Sequence, residues 1–121
     1  DLFWAIDNIT QVEILPSTIR TMAQQIEYFK AGTSTSMKSK HLLSPEHPLS
    51  RAVDAGPWPH RWPKEDKDKW LDWGRIYYFA GVVRATAWRM DIKIRYGGDW
   101  NGNFDLKDQN FYDGVHFELM E

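Results

Sequence analysis

The sequence predicts a small α+β fold, an antiparallel sheet flanked by helices. Three observations predict it. Residues 11–15, 92–96 and 115–119 alternate polar and apolar side chains, the period of half-buried strands. Residues 65–91 repeat apolar side chains at helical spacing. Helices and long loops separate the strands, which favours an antiparallel arrangement. At 121 residues and 14.3 kDa, the chain is expected to form one domain over 1–121.

The elements follow in order. Residues 1–10 read as the end of a helix. Gln11-Val12-Glu13-Ile14-Leu15 is a short strand stopped by Pro16. Ser17 or Thr18 is the expected N-cap of a helix through Ala31, with Ile19, Met22, Ala23, Ile26 and Phe29 at helical spacing. Gly32 follows at the stop position. Prolines at 45, 48, 57, 59 and 63 forbid a long helix over 33–66, where Ala52-Val53-Asp54 alone looks extended. An irregular stretch that long often carries function. In the long helix, Trp73, Ile76, Tyr77, Ala80, Val83, Ala87 and Met90 mark the expected core face. Gly74 and Gly81 either weaken it or admit a close neighbour. Gly97-Gly98 ends the strand over 92–96, and residues 99–112 form a polar loop.

Composition narrows the function. Fifteen basic against 17 acidic residues give a net charge of -2 and a pI near 6.1, which argues against non-specific nucleic-acid binding. The lack of cysteine removes disulfides, thiolate zinc sites and a Cys nucleophile, so a transition metal would need His and carboxylate ligands. No apolar run approaches the ~18 residues of a spanning helix, and the first residues do not read as a signal peptide.

Several polar residues have both a plain and a chemical reading. On the last strand, Val115, Phe117 and Leu119 share a face expected to be core, and His116 and Glu118 point the other way. Asp113 lies three residues before His116, and the turn-prone Asp113-Gly114 pair can bend both side chains into one cleft. There they suit a metal ligand beside a general base; otherwise they are a surface His and a turn Asp. Asp54 is a turn residue or a metal ligand. With His41 and His47 upstream, two His and one Asp would leave zinc a position for water. Arg20 is a salt-bridging surface cation or a stabiliser of a developing oxyanion. Trp58 and Trp62 either wall a groove or, the preferred reading, roof the core.

Taken together, these motifs resemble the M15 zinc peptidases, and within them the phage endolysin-type L-alanyl-D-glutamate peptidases. Ser39-Lys40-His41-Leu42 with Ser50-Arg51-Ala52-Val53-Asp54 resembles the first zinc motif. Phe111-Tyr112-Asp113-Gly114-Val115-His116-Phe117-Glu118-Leu119 resembles the second. Arg95-Tyr96-Gly97-Gly98-Asp99-Trp100 and Asp105-Leu106-Lys107-Asp108-Gln109 are similar to the stretch preceding that His. Ile19-Arg20-Thr21 with Gln25 is similar to an upstream helix start. The resemblance runs from about residue 11 to the end and implies a hedgehog/D-Ala-D-Ala peptidase-like fold.

The resemblance implies that His41, Asp54 and His116 hold Zn2+, that Asp113 is the base, that Arg20 polarises the scissile carbonyl and that Ser39 contacts substrate. The implied reaction is hydrolysis of the L-Ala–D-Glu bond in the peptidoglycan stem peptide by a zinc-activated water. One spacing departs from the pattern. His41 lies thirteen residues before Asp54 where seven is usual, and His47 lies seven before. His41 is favoured because its neighbours match; His47 is the alternative ligand. Other readings are a D,D-carboxypeptidase or dipeptidase on the same scaffold, a non-catalytic zinc module that binds cell wall or protein, and a metal-dependent nuclease. The expected protein is a monomer that engages neither nucleic acid nor membrane. It would accumulate in the host cytoplasm and reach the wall after membrane permeabilisation.

Overall fold

The computed structural model describes residues 2–16, 30, 40, 42, 51–109 and 111–120. Among them the chain forms helix α1 (Leu2–Asp7), strands β1 (Val12–Ile14) and β2 (Ala52–Pro57), helix α2 (Lys69–Arg89), and strands β3 (Ile94–Tyr96) and β4 (His116–Leu119). The four strands form one sheet in the order β1-β2-β4-β3, every neighbouring pair antiparallel. This is the predicted α+β class. The expected helix over 17–31 lies outside the described residues, apart from the helical Lys30.

The central strand runs further than the apolar triplet suggested. β2 continues through Ala55, Gly56 and Pro57 because β1 pairs with that half of the strand, while β4 pairs with Ala52, Val53 and Asp54. Pro57 is tolerated at the strand's end. Beyond it, Trp58 N–H donates to Gln11 O at 2.9 Å, closing this end of the sheet.

α2 has no proline and packs on one face of the sheet together with α1. The shared core holds Leu2, Ile6, Ala55, Phe79, Ala80, Val83, Ala87, Tyr96 and Phe117. Phe117 lies near its centre, stacked on Tyr96 at 5.0 Å and met edge-on by Phe3 and Phe79 at 5.9 and 6.2 Å. The helix ends where Asp91 takes a left-handed φ of 56°, which Asp tolerates, and Ile92 N–H turns back to Ala87 O.

The packing corrects several expectations. Phe79 is core, whereas Met90 caps the helix and is exposed, and Tyr77 sits at the rim stacked on Trp73. Among the described residues nothing comes within 4 Å of a β-carbon placed at Gly74 or Gly81, so neither admits a close neighbour there. Trp58 and Trp62 are 54% and 55% exposed and do not roof the core. Leu119 is 44% exposed, because β4 is leaving the sheet there. No helix among the described residues is long and apolar enough to cross a membrane.

Candidate metal centre

Antiparallel register explains how distant residues meet. Asp54 on β2 lies directly opposite His116 on β4, and Arg95 on β3 lies opposite Glu118. Directly opposed residues project to the same side of a sheet. Residues 54, 95, 116 and 118 therefore share the face turned away from the apolar core. Val53, Tyr96 and Phe117, one position along, share the core face.

Asp113 reaches the same place by a turn. His116 N–H donates to Asp113 O at 3.1 Å, closing residues 113–116 into a β-turn. Gly97 braces that turn. Its N–H donates to His116 O and its carbonyl accepts from Asp113 N–H, each at 2.8 Å. A β-carbon at Gly97 would collide with the Asp113 carbonyl oxygen and come within 2.9 Å of His116 Cβ, so only glycine fits this approach. Tyr96 Oη adds a buried bond to Gly114 O at 2.7 Å.

The result is a cluster in which Asp54, Asp113 and His116 each bring one donor atom within 4.8 Å of the others. His116 Nδ1 lies 3.5 Å from Asp54 Oδ1 and 3.9 Å from Asp113 Oδ2. Asp54 and His116 are 2% and 6% exposed, and Asp113 is half-buried. The opposite edge of the ring faces Glu118, with Nε2 2.8 Å from Oε1. Trp100 covers the ring at 5.2 Å and is itself held by Phe111 O and Gln109 Oε1.

The electrostatics follow from the geometry. Burial alone would lower the imidazole pKa. Bonds to Asp54 and Glu118 and the field of Asp113 outweigh it and push His116 up to about 9. Burial likewise works to raise Glu118, but His116, Arg95 and Lys40 together bring it down to about 2. Its Oε2 lies 2.7 Å from Arg95 Nη2 and 3.1 Å from Lys40 Nζ.

The cluster suits a divalent cation. Zinc bonds of about 2.0–2.2 Å at tetrahedral angles put two ligand atoms roughly 3.3–3.6 Å apart. The spacing between His116 Nδ1 and Asp54 Oδ1, 3.5 Å, falls in that range. Imidazole nitrogen with carboxylate oxygen is a donor set zinc accepts.

Of the residues singled out in the sequence, the structure brings Asp54, Asp113 and His116 together; Arg20, Ser39, His41 and His47 lie outside the described residues. Sequence reasoning missed Glu118, Arg95 and Lys40 as a group, Trp100 over the ring, and Gly97 under the turn. The alternation that put Glu118 on the face of His116 was the available signal for the first.

Comparison with known proteins agrees with this arrangement. The model of the phage L-alanyl-D-glutamate peptidase family matches residues 6–120. The L-alanyl-D-glutamate peptidase of Escherichia phage T5 is 32% identical over 111 residues, covering 84% of this chain and 71% of that protein. Among solved structures, the Serratia marcescens L-Ala D-Glu endopeptidase ChiX superposes with a TM-score of 0.61 at 25% identity, covering 93% of this chain and 68% of that one. With the match running almost end to end, this chain belongs to the phage L-alanyl-D-glutamate peptidase family.

Proposed function

We propose that this chain is a zinc-dependent peptidoglycan endopeptidase that hydrolyses the L-Ala–D-Glu bond of the stem peptide. The observation that carries the reading is the convergence of Asp54, Asp113 and His116 on one buried spot in a member of this family. Asp54 and His116 would hold the ion. His41 is the third ligand in this reading, on the strength of its motif. Its chain neighbour Lys40 is held on Glu118, the same residue that bonds His116. His47 is the alternative ligand.

When bound, zinc supplies a Lewis acid that makes water nucleophilic near neutral pH and offsets the charge developing on the carbonyl oxygen. The remaining work falls to the protein. Asp113 Oδ2 stands 3.9 Å from His116 Nδ1, beside the pair that would hold the ion. It is half-buried, within reach of solvent and substrate. Asp113 takes the proton of the attacking water and returns it to the departing amine of D-Glu. Arg20 is assigned to steady the oxyanion and Ser39 to contact the peptide, both on motif grounds. The protein acts as a monomer on the wall of an infected cell, once the membrane barrier has been opened.

The test is digestion of purified peptidoglycan with chelator-stripped and zinc-restored protein. New D-Glu N-termini that appear with zinc restored support the reading. Release of D-Ala, or cleavage unaffected by the chelator, contradicts it.

A further inference from the structure

One edge of the His116 ring faces Asp54 and Asp113, and the opposite edge faces a second buried carboxylate, Glu118. Glu118 is 7% exposed, and each of its oxygens is engaged. Oε1 meets His116 Nε2 at 2.8 Å. Oε2 meets Arg95 Nη2 at 2.7 Å and Lys40 Nζ at 3.1 Å. Lys40 Nζ also donates to Leu119 O at 2.7 Å, and Lys40 O accepts from Arg51 N–H at 3.0 Å. Arg95 lies over the Trp100 ring at 5.7 Å, and Trp100 lies against His116. Glu118, Arg95, Trp100 and His116 thus form a closed ring of contacts.

Two cations on one carboxylate keep it ionised, and an ionised carboxylate only accepts hydrogen bonds. Nε2 therefore faces Glu118 as the donor, and Nδ1 is the ring atom turned toward Asp54 and Asp113. A ligand imidazole fixed through its far nitrogen is more basic and loses less freedom on binding. A buried carboxylate costs desolvation energy that a hydrophobic residue on β4 would not, so its retention needs a reason beyond stability.

We propose that Glu118 is a positioning residue for the metal centre. Braced by Arg95 and Lys40, it holds His116 so that Nδ1 is presented to the ion. The same carboxylate ties Lys40 to β4. This inference rests on the metal-centre reading above.

The experiment measures zinc affinity by chelator competition on the full chain, with folding followed by circular dichroism. A second readout is the exchange rate of the His116 Nε2 proton by nuclear magnetic resonance. Glu118→Ala is expected to weaken zinc binding by about 10–100-fold and to expose the Nε2 proton to rapid exchange. Glu118→Gln keeps an oxygen for Nε2–H and the shape of the side chain. It is expected to stay folded with a smaller loss, which keeps the test open should the alanine variant fail to fold. Lys40→Met is expected to weaken zinc less than either. A purely structural role would lower the melting temperature and leave zinc affinity and proton exchange of the folded protein unchanged. That result in Glu118→Gln and Glu118→Ala overturns the proposal. Failure of the wild-type protein to take up zinc overturns the metal-centre reading, and the proposal with it.

Discussion

The two faces of β4 are both buried, and they are built from opposite materials. On one, Phe117 packs among Phe3, Phe79 and Tyr96. On the other, His116 and Glu118 sit among Asp54, Arg95, Lys40 and Asp113. The first gains stability from apolar area removed from water. The second has to offset the desolvation of several charges by pairing them, which yields little net stability. A strand gains nothing by carrying such a face unless the face performs chemistry. The two faces are therefore expected to fail differently: one by unfolding, the other by losing metal and turnover.

The largest expected effect is on the polar face. Asp113→Ala should reduce cleavage of peptidoglycan by about 10²–10⁴-fold, the usual range for a general base, while zinc content stays near one per chain. Near-normal turnover would remove Asp113 from the base role. On the apolar face, Phe117→Ala should cost about 3–5 kcal/mol of stability in denaturant melts. If the same variant kept full stability and lost zinc selectively, the division between the faces would be wrong.

Gly97→Ala probes the joint between the faces. The new methyl would collide with the turn that carries Asp113, for a cost of about 1–3 kcal/mol and a loss of activity larger than the stability loss explains. The sequence marked Gly97 as a strand end, which it is, but gave no sign of this contact. Only the pairing of residue 97 with residues 113 and 116 makes the glycine necessary, and that pairing spans a loop whose path cannot be read from local spacing.

The pH dependence gives a subtler contrast. The His116 pKa is raised from 6.5 to about 9 in the folded, metal-free protein. A raised folded-state value means that the stabilisation is fully present below about pH 6.5 and is lost as pH rises through about 9. Melting temperatures of the metal-free protein should fall across that window in the wild type and in Phe117→Leu, and not in His116→Asn. Zinc affinity should rise over the same window, because the ion no longer has to displace a proton. The smallest effect is expected far from both faces. Trp88→Ala on the exposed side of α2 should change stability by less than about 0.5 kcal/mol.

The α+β class and most strands were legible because alternation and helical spacing are local signals. β2 was read too short, since Gly56 and Pro57 look like breakers and only their pairing with Glu13 and Val12 of β1 holds them extended. The core face of α2 was misread at Phe79 and Met90 because aromatic and apolar side chains lie on every side of that helix, Trp70, Tyr78 and Trp88 among them. Asp54, Asp113 and His116 were singled out from their spacing and motifs as candidates, and the turn at Gly114-Val115 is what brings Asp113 and His116 to one place. Glu118 was visible as a neighbour of His116 on the same face. Its two cations were not, because Arg95 and Lys40 reach it from 23 and 78 residues away in the chain.

The most direct test of the account is the zinc content of purified wild-type protein and His116→Ala after identical reconstitution and desalting. One zinc per wild-type chain and none in the variant, with both proteins folded, is the predicted result. Stoichiometric zinc retained by folded His116→Ala would contradict it.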